Sequence, residues 1–91
     1  MLKRYNIRVT GIVQGVGFRP FVYNLALSRN ISGFVGNDSD GVFIEAQGAE
    51  KNLTEFIRNI EKNPPPLSMV EAVHYNEIPA VSHNGFHIKE S

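Results

Sequence analysis

The sequence has no cysteine and no tryptophan. Without cysteine there can be no disulfide framework, thiolate nucleophile or zinc ribbon. Neither sign of charge is in excess, with nine Lys+Arg against nine Asp+Glu. The basic footprint of a nucleic-acid protein is therefore missing, and no nucleic-acid partner is expected. No apolar run approaches the ~20 residues needed to span a bilayer. The opening MLKRYNIRVT has no apolar core of the kind a signal peptide carries. The expectation is no membrane association and a cytoplasmic location.

What remains is 91 residues, 42% of them apolar and 20% charged, a composition typical of one globular domain covering 1–91. Residues 5–11 alternate, with Tyr5, Ile7 and Val9 apolar and Asn6, Arg8 and Thr10 polar, which predicts a half-buried strand. Pro20 occupies the position expected for a first helical residue, and Phe21, Val22, Leu25 and Ala26 form a helical stripe that fades around residues 28–30. A second strand over 31–37 runs through the turn formers NDSDG into a third beginning at Val42. There Val42, Ile44 and Ala46 share one face, with Phe43 and Glu45 on the other. Leu53, Phe56, Ile57 and Ile60 predict an amphipathic helix within 49–63, ended by Pro64, Pro65 and Pro66. A fourth strand over 68–77, with mixed alternation that allows a bulge, and a short last one over 86–89 complete the chain. The order β-α-β-β-α-β plus a short terminal strand predicts an α+β fold of the ferredoxin-like, split βαβ kind. It is an antiparallel sheet with both helices on one face.

Chemistry concentrates where the first strand joins the first helix, GIVQGVGFRP over 11–20. A glycine-rich loop feeding a helix N-terminus turns backbone N–H groups inward and, with the positive end of the helix dipole, cradles an anion. Arg19 stands at the mouth of that loop. It precedes a proline, which disfavours helical geometry, so it is expected as a boundary residue. Its guanidinium can make paired hydrogen bonds to phosphate oxygens that a lysine cannot match. The same residues also describe a tight loop with a surface arginine, and both readings stay open at this point. A Walker loop is excluded by the missing Gly-Lys-Ser/Thr, and a dinucleotide fingerprint by Pro20 in place of its third glycine.

Asn37 can hold a water by accepting one hydrogen bond and donating another, or it can simply begin the NDSDG turn. Asp38 and Asp40 do not make a calcium loop, because Gly41 follows Asp40 directly and position 36 is Gly36. A solvated acidic turn is expected, and no metal site. His83 and His87 have helical metal spacing, but Asn84-Gly85 breaks a helix, and on a strand the two lie roughly 13 Å apart. Phe43 is placed on the open sheet face as in RNA-binding sheets, yet GVFIEAQG lacks the basic-aromatic pattern of those sheets and carries Glu45.

The segment GIVQGVGFR resembles the signature of the acylphosphatase family, Gly-x-Val-Gln-Gly-Val-x-Phe-Arg, at Gly11, Val13, Gln14, Gly15, Val16, Phe18 and Arg19. The family's asparagine, in a Gly-aromatic-Val-x-Asn stretch, corresponds to Asn37 in GFVGN. Within the family, RPFVYNLA over 19–26 and NDSDGV over 37–42 resemble the N-terminal acylphosphatase domains of hydrogenase-maturation carbamoyltransferases, large cytoplasmic proteins that use carbamoyl phosphate and ATP. The resemblance implies hydrolysis of carboxyl-phosphate mixed anhydrides, with carbamoyl phosphate as the expected substrate and no cofactor. The downstream domains of a parent carbamoyltransferase are the implied partners. It assigns phosphate binding to the amides of Gly15, Val16, Gly17, Phe18 and Arg19 with the Arg19 guanidinium, and orientation of the attacking water to Asn37. Arg19 and Asn37 are the implied catalytic residues. The alternative is a non-catalytic module that binds carbamoyl phosphate or phosphate and is active only within the full-length protein.

Overall fold

The computed structural model describes residues 1–82 and 84–90. Its elements run β1 (Leu2–Ile12), α1 (Phe18–Ser28), β2 (Ser32–Asp38), β3 (Gly41–Ala49), α2 (Glu50–Lys62), β4 (Met69–Ile78) and β5 (Phe86–Ile88). The five strands form one sheet in the order β4-β1-β3-β2-β5. The pairs β1/β3, β1/β4 and β2/β3 are antiparallel. This is the split βαβ plan, with β3 inserted between β1 and β2.

Period-two alternation explains the two faces of the sheet. Ile7, Val9, Val35, Val42, Ile44 and Ala46 are buried and form one core with Phe18, Val22 and Ala26 of α1. From α2 the same core takes Leu53, Phe56, Ile57 and Ile60, the four positions its periodicity marks. Both helices therefore cover one face. The register of β1 against β4 shifts between Thr10 and Gly11, an irregularity in keeping with the mixed pattern of β4.

The structure corrects three sequence expectations. First, the sheet is mixed, because β5 pairs in parallel with β2. The chain leaves β4 at one edge and crosses to the far edge, so β4 and β5 never become partners. The crossing is fixed over the open face by Gln47 of β3. Its amide nitrogen donates to the Val81 carbonyl at 2.8 Å and its oxygen accepts from the Val81 N–H at 2.9 Å. Second, α1 begins at Phe18, so Pro20 is its third residue and Arg19 its second. The first four N–H groups of a helix have no intrahelical acceptor, so a proline there forfeits nothing. Third, the second strand, expected over 31–37, runs one residue further: Asn37 lies within β2, paired with Val42, and Asp38 ends the strand.

Candidate functional site

Residues 13–17 carry the chain from β1 to α1. Val13 is buried and anchors the loop in the core, whereas Gln14, Gly15 and Gly17 are exposed. Gly15 and Gly17 both have left-handed backbones, φ 72° and 79°, and Val16 between them does not. Alternation of backbone hand across consecutive residues turns their N–H groups toward one side, the concavity that binds anions. A Cβ on either glycine would meet nothing within 4 Å. Glycine is thus demanded by backbone conformation, while the space over the loop stays open.

The loop delivers directly into the N-terminus of α1. Its N-cap is Gly17, no side chain among the described residues caps the end, and the first turn holds no acidic residue. The orphan N–H groups and the positive end of the helix dipole are left for a negative group. Phe18 is buried and packs edge-on against Phe21 at 5.6 Å between centroids, fixing the first turn to the core. Arg19, next in sequence, is half-buried in that same turn.

Asn37 reaches this end of the sheet from the other side of the topology. Along β2, Val35 is fully buried in the core and Gly36 lies beneath the Phe43 ring on the open face. Alternation then places Asn37 on the helix side, where the loop lies, and Asp38 on the open side. An open cleft of about 220 Å³ is lined by Gln14, Asn37, Asp38 and Ser39. The structure therefore brings Gln14 of the loop and Asn37 to one cleft. The Gln14 side-chain amide donates to the Asp38 carbonyl, tying the loop to the end of β2. A larger cleft of about 320 Å³, next to Leu27, Ile31 and Gly48, has no charged side chain among the described residues that line it.

The acidic turn is solvated as expected, since Asp38, Ser39 and Asp40 are all exposed. Asp38 also has a partner that the sequence does not reveal. Arg8 Nη1 donates to Asp38 Oδ1 at 2.6 Å, and the Asp40 N–H donates to the same oxygen at 2.9 Å. The Arg8 guanidinium, followed by the Asp40 amide, holds the Asp38 carboxyl below the usual carboxylate range, and Asp38 in turn raises Arg8. Phe43 does face the open side of the sheet. Its ring is half-buried, packed on Phe34 at 6.3 Å and covered by the Arg8 guanidinium 5.8 Å above its centroid. His74 and His87 are exposed on β4 and β5, and His83 lies outside the described residues. Among the described residues no helix is long and apolar enough to cross a membrane.

The molecule is a two-helix, five-strand α+β domain with an alternating-hand glycine loop at an uncapped helix N-terminus, an arrangement with the geometry to accept an anion. The family model for acylphosphatase matches residues 5–88, and the chain belongs to the acylphosphatase family. It is 42% identical over 89 residues to an acylphosphatase of Leuconostoc mesenteroides, covering 97% of this chain and 99% of that protein. It is 47% identical over 89 residues to the carbamoyltransferase HypF2 of Cupriavidus necator, covering 97% of this chain but only 11% of that protein. Among solved structures, full-length HypF in a phosphate- and nucleotide-bound form matches with a TM-score of 0.96 at 42% identity. That match covers 99% of this chain and 12% of the other. Acylphosphatase from Bacillus subtilis matches with a TM-score of 0.91 at 41% identity, over 99% and 100% of the two chains. The chain thus spans about a ninth of the carbamoyltransferases it matches and nearly the whole of the free-standing acylphosphatases. Its enzymatic class is acylphosphatase.

Proposed function

We propose that the loop amides of Gly15, Val16, Gly17, Phe18 and Arg19, together with the Arg19 guanidinium, hold the phosphate of an acyl phosphate. Asn37 holds the attacking water. The observation that carries this reading is the alternating-hand loop running into the uncapped N-terminus of α1, with Arg19 in its first turn. The chemistry asks little more of the protein. An acyl phosphate already contains a carboxylate leaving group, so rate comes from positioning and from stabilising charge on the phosphoryl oxygens. Water oxygen attacks phosphorus, the bond from phosphorus to the acyl oxygen breaks, and the carboxylate departs with its electron pair. The proton lost by the water passes to a phosphate oxygen of the substrate, so no separate base is needed. The Asn37 carboxamide suits the water, since its oxygen accepts one hydrogen bond and its nitrogen donates another.

Carbamoyl phosphate is the physiological substrate in this reading, and the chain serves as the N-terminal acylphosphatase domain of a hydrogenase-maturation carbamoyltransferase. Support comes from the 47% identity to a carbamoyltransferase confined to 11% of its length. The same coverage favours a second reading, a domain that binds carbamoyl phosphate but turns it over only alongside the rest of such a protein.

Hydrolysis of benzoyl phosphate and carbamoyl phosphate without added metal, beside Arg19→Ala and Asn37→Ala, separates these readings. Arg19→Ala is expected to lower turnover by about 10²–10³-fold, the loss typical of one preorganised anion donor, and to weaken inhibition by inorganic phosphate. Asn37→Ala is expected to lose turnover while keeping its affinity for phosphate. In ¹⁸O-water the label should appear in phosphate. Phosphate binding without turnover would favour the binding module. Phosphate held as tightly by Arg19→Ala as by the parent would remove Arg19 from the site.

A further inference from the structure

Asn37 can orient a water only if the end of β2 is held still, and that strand end borders an exposed turn. Three contacts converge on it, two from the open face of the sheet and one from the loop. On the open face, Gly36 carries the Phe43 ring so closely that a Cβ there would lie 2.5 Å from Phe43 Cζ. The Arg8 guanidinium rests on the outer side of that ring, 5.8 Å from its centroid. From there Arg8 reaches diagonally past β3 to Asp38 at 2.6 Å, although its register partner on β3 is Phe43 itself. From the loop side, the Gln14 amide donates to the Asp38 carbonyl. Gly36, Asn37 and Asp38 are consecutive, so the residues on both sides of Asn37 are pinned while its own side chain remains in the cleft.

We propose that Arg8, Asp38 and Gln14 form a positioning clamp that sets Asn37 against the phosphate loop. The clamp rests on the assignment of Asn37 as the residue that holds the water. None of the three touches the substrate in this proposal. Arg8 fixes Asp38 through its carboxylate and Gln14 fixes the same residue through its main-chain carbonyl, so the two attachments are independent. Bridging β1, the loop and the end of β2 in this way sets the distance from Asn37 to the loop through these contacts and not through the exposed turn. A misplacement of about 1 Å is enough to cost up to 10²-fold in rate, so a surface ion pair here has more influence on catalysis than on folding.

The test uses Arg8→Met, which keeps a stem over Phe43 but removes the charge, together with Asp38→Asn, the double variant and Arg8→Lys. Each is compared in kcat, phosphate inhibition constant and urea midpoint. Arg8→Met and Asp38→Asn are each expected to lower kcat by about tenfold, with phosphate inhibition within about twofold of the parent. The double variant should be no slower than the worse single one, since both remove the same contact. Arg8→Lys should recover most of the rate, because the contact is a single N–H to a single oxygen. Arg29→Ala is the control: it breaks an ion pair to Glu55 of similar exposure at the far end of α1, and kcat should not change. Undiminished kcat in Arg8→Met and Asp38→Asn, or fully additive losses, would overturn the clamp. So would a rate loss that merely follows the unfolded fraction. Asn37→Ala in the same series separates the two ideas. If it is inactive while Arg8→Met is normal, only the clamp falls; if Asn37→Ala is fully active, the water assignment falls and takes the clamp with it.

Discussion

Alanine scanning of the glycines separates those the loop needs from those the sheet needs. Gly15 and Gly17 sit at φ 72° and 79°, and a Cβ at either position would have nothing within 4 Å. An alanine at either site should cost only the left-handed backbone penalty, ~1–2 kcal/mol. Gly33 is also at positive φ, 139°, but its Cβ would overlap the Glu45 carbonyl oxygen and lie 2.8 Å from the Glu45 carbonyl carbon. That obstacle is main chain, in the β3 strand to which β2 is bonded along its length. It cannot move aside without opening the ladder, and such a φ is closed to alanine in any case. The loss at Gly33 should exceed ~4 kcal/mol, in the exceptional range for one substitution. A domain of this length is stable by only ~5–14 kcal/mol. Urea unfolding followed by far-UV circular dichroism gives the comparison. Gly15→Ala and Gly17→Ala should shift the midpoint modestly at constant slope, whereas Gly33→Ala should be largely unfolded or lose most of its midpoint. Because the loop variants stay folded, their activity is interpretable, and phosphate inhibition should weaken by about tenfold, since the left-handed penalty that a relaxed loop escapes must be met again when its amides turn to the anion. If Gly33→Ala were as stable as Gly17→Ala, the steric argument would be refuted. If Gly17→Ala cost as much as Gly33→Ala, the loop would be a packed element and not an open cradle.

Further perturbations test the electrostatics of the ion pairs. Arg4 is 4% exposed, donates through Nε and Nη2 to Glu45 Oε1 at 3.0 and 2.8 Å, and reaches Gln47 at 3.3 Å. Glu45→Ala would leave that guanidinium buried without its charge partner, at an expected cost of ~3 kcal/mol by chemical denaturation. Glu50→Ala, which removes one of two exposed partners of Lys3, should shift the midpoint far less, and equal losses would show the Arg4 pair to be solvated. The Asp38 carboxyl, lowered first by Arg8 and then by the Asp40 amide, should titrate by NMR below the usual carboxylate range. Its contribution is complete above the ordinary carboxylate pKa and disappears as pH falls through the lowered value. In Arg8→Met the titration should move back up, and an unchanged curve would mean that the pair does not form in solution.

The sequence makes the fold legible where periodicity carries a strong signal. Leu53, Phe56, Ile57 and Ile60 are read as one face of α2 and all four are buried, as are Val42, Ile44 and Ala46 of β3. It is less informative where one local preference meets another. Proline at position 20 marks a helix start, but it marks the first turn as a whole, so Arg19 lies inside α1 and not at its border. The parallel pairing of β5 is hidden in the sequence because it depends on a crossing held by Gln47, a polar residue on an outer face that the β4–β5 connection buries to 4% exposure. Alternation says which face Gln47 is on, not that a distant segment will cover it. The Arg8–Asp38 pair is hidden for the same reason: thirty residues separate the two, and each alone reads as an ordinary solvated charge.

The candidate site shows how strand alternation divides one short motif between two tasks. In the sequence, Asn37 and Asp38 are neighbouring turn formers, and nothing in their composition separates them. Once β2 is extended to Asp38, consecutive side chains must point to opposite faces. Asn37 then shares the helix side with the glycine loop, where a carboxylate would repel the phosphate proposed to bind there. Asp38 is turned to the open face, where Arg8 neutralises it. Exchanging the two residues would preserve composition, turn propensity and net charge, yet it would move the negative charge to the helix side, beside the glycine loop, and leave Arg8 facing an amide. Such an exchanged protein should fold and fail to bind phosphate. Phosphate inhibition of the exchanged protein near the parent's value would mean that the face on which a residue sits, the premise of the whole site, does not control its chemistry.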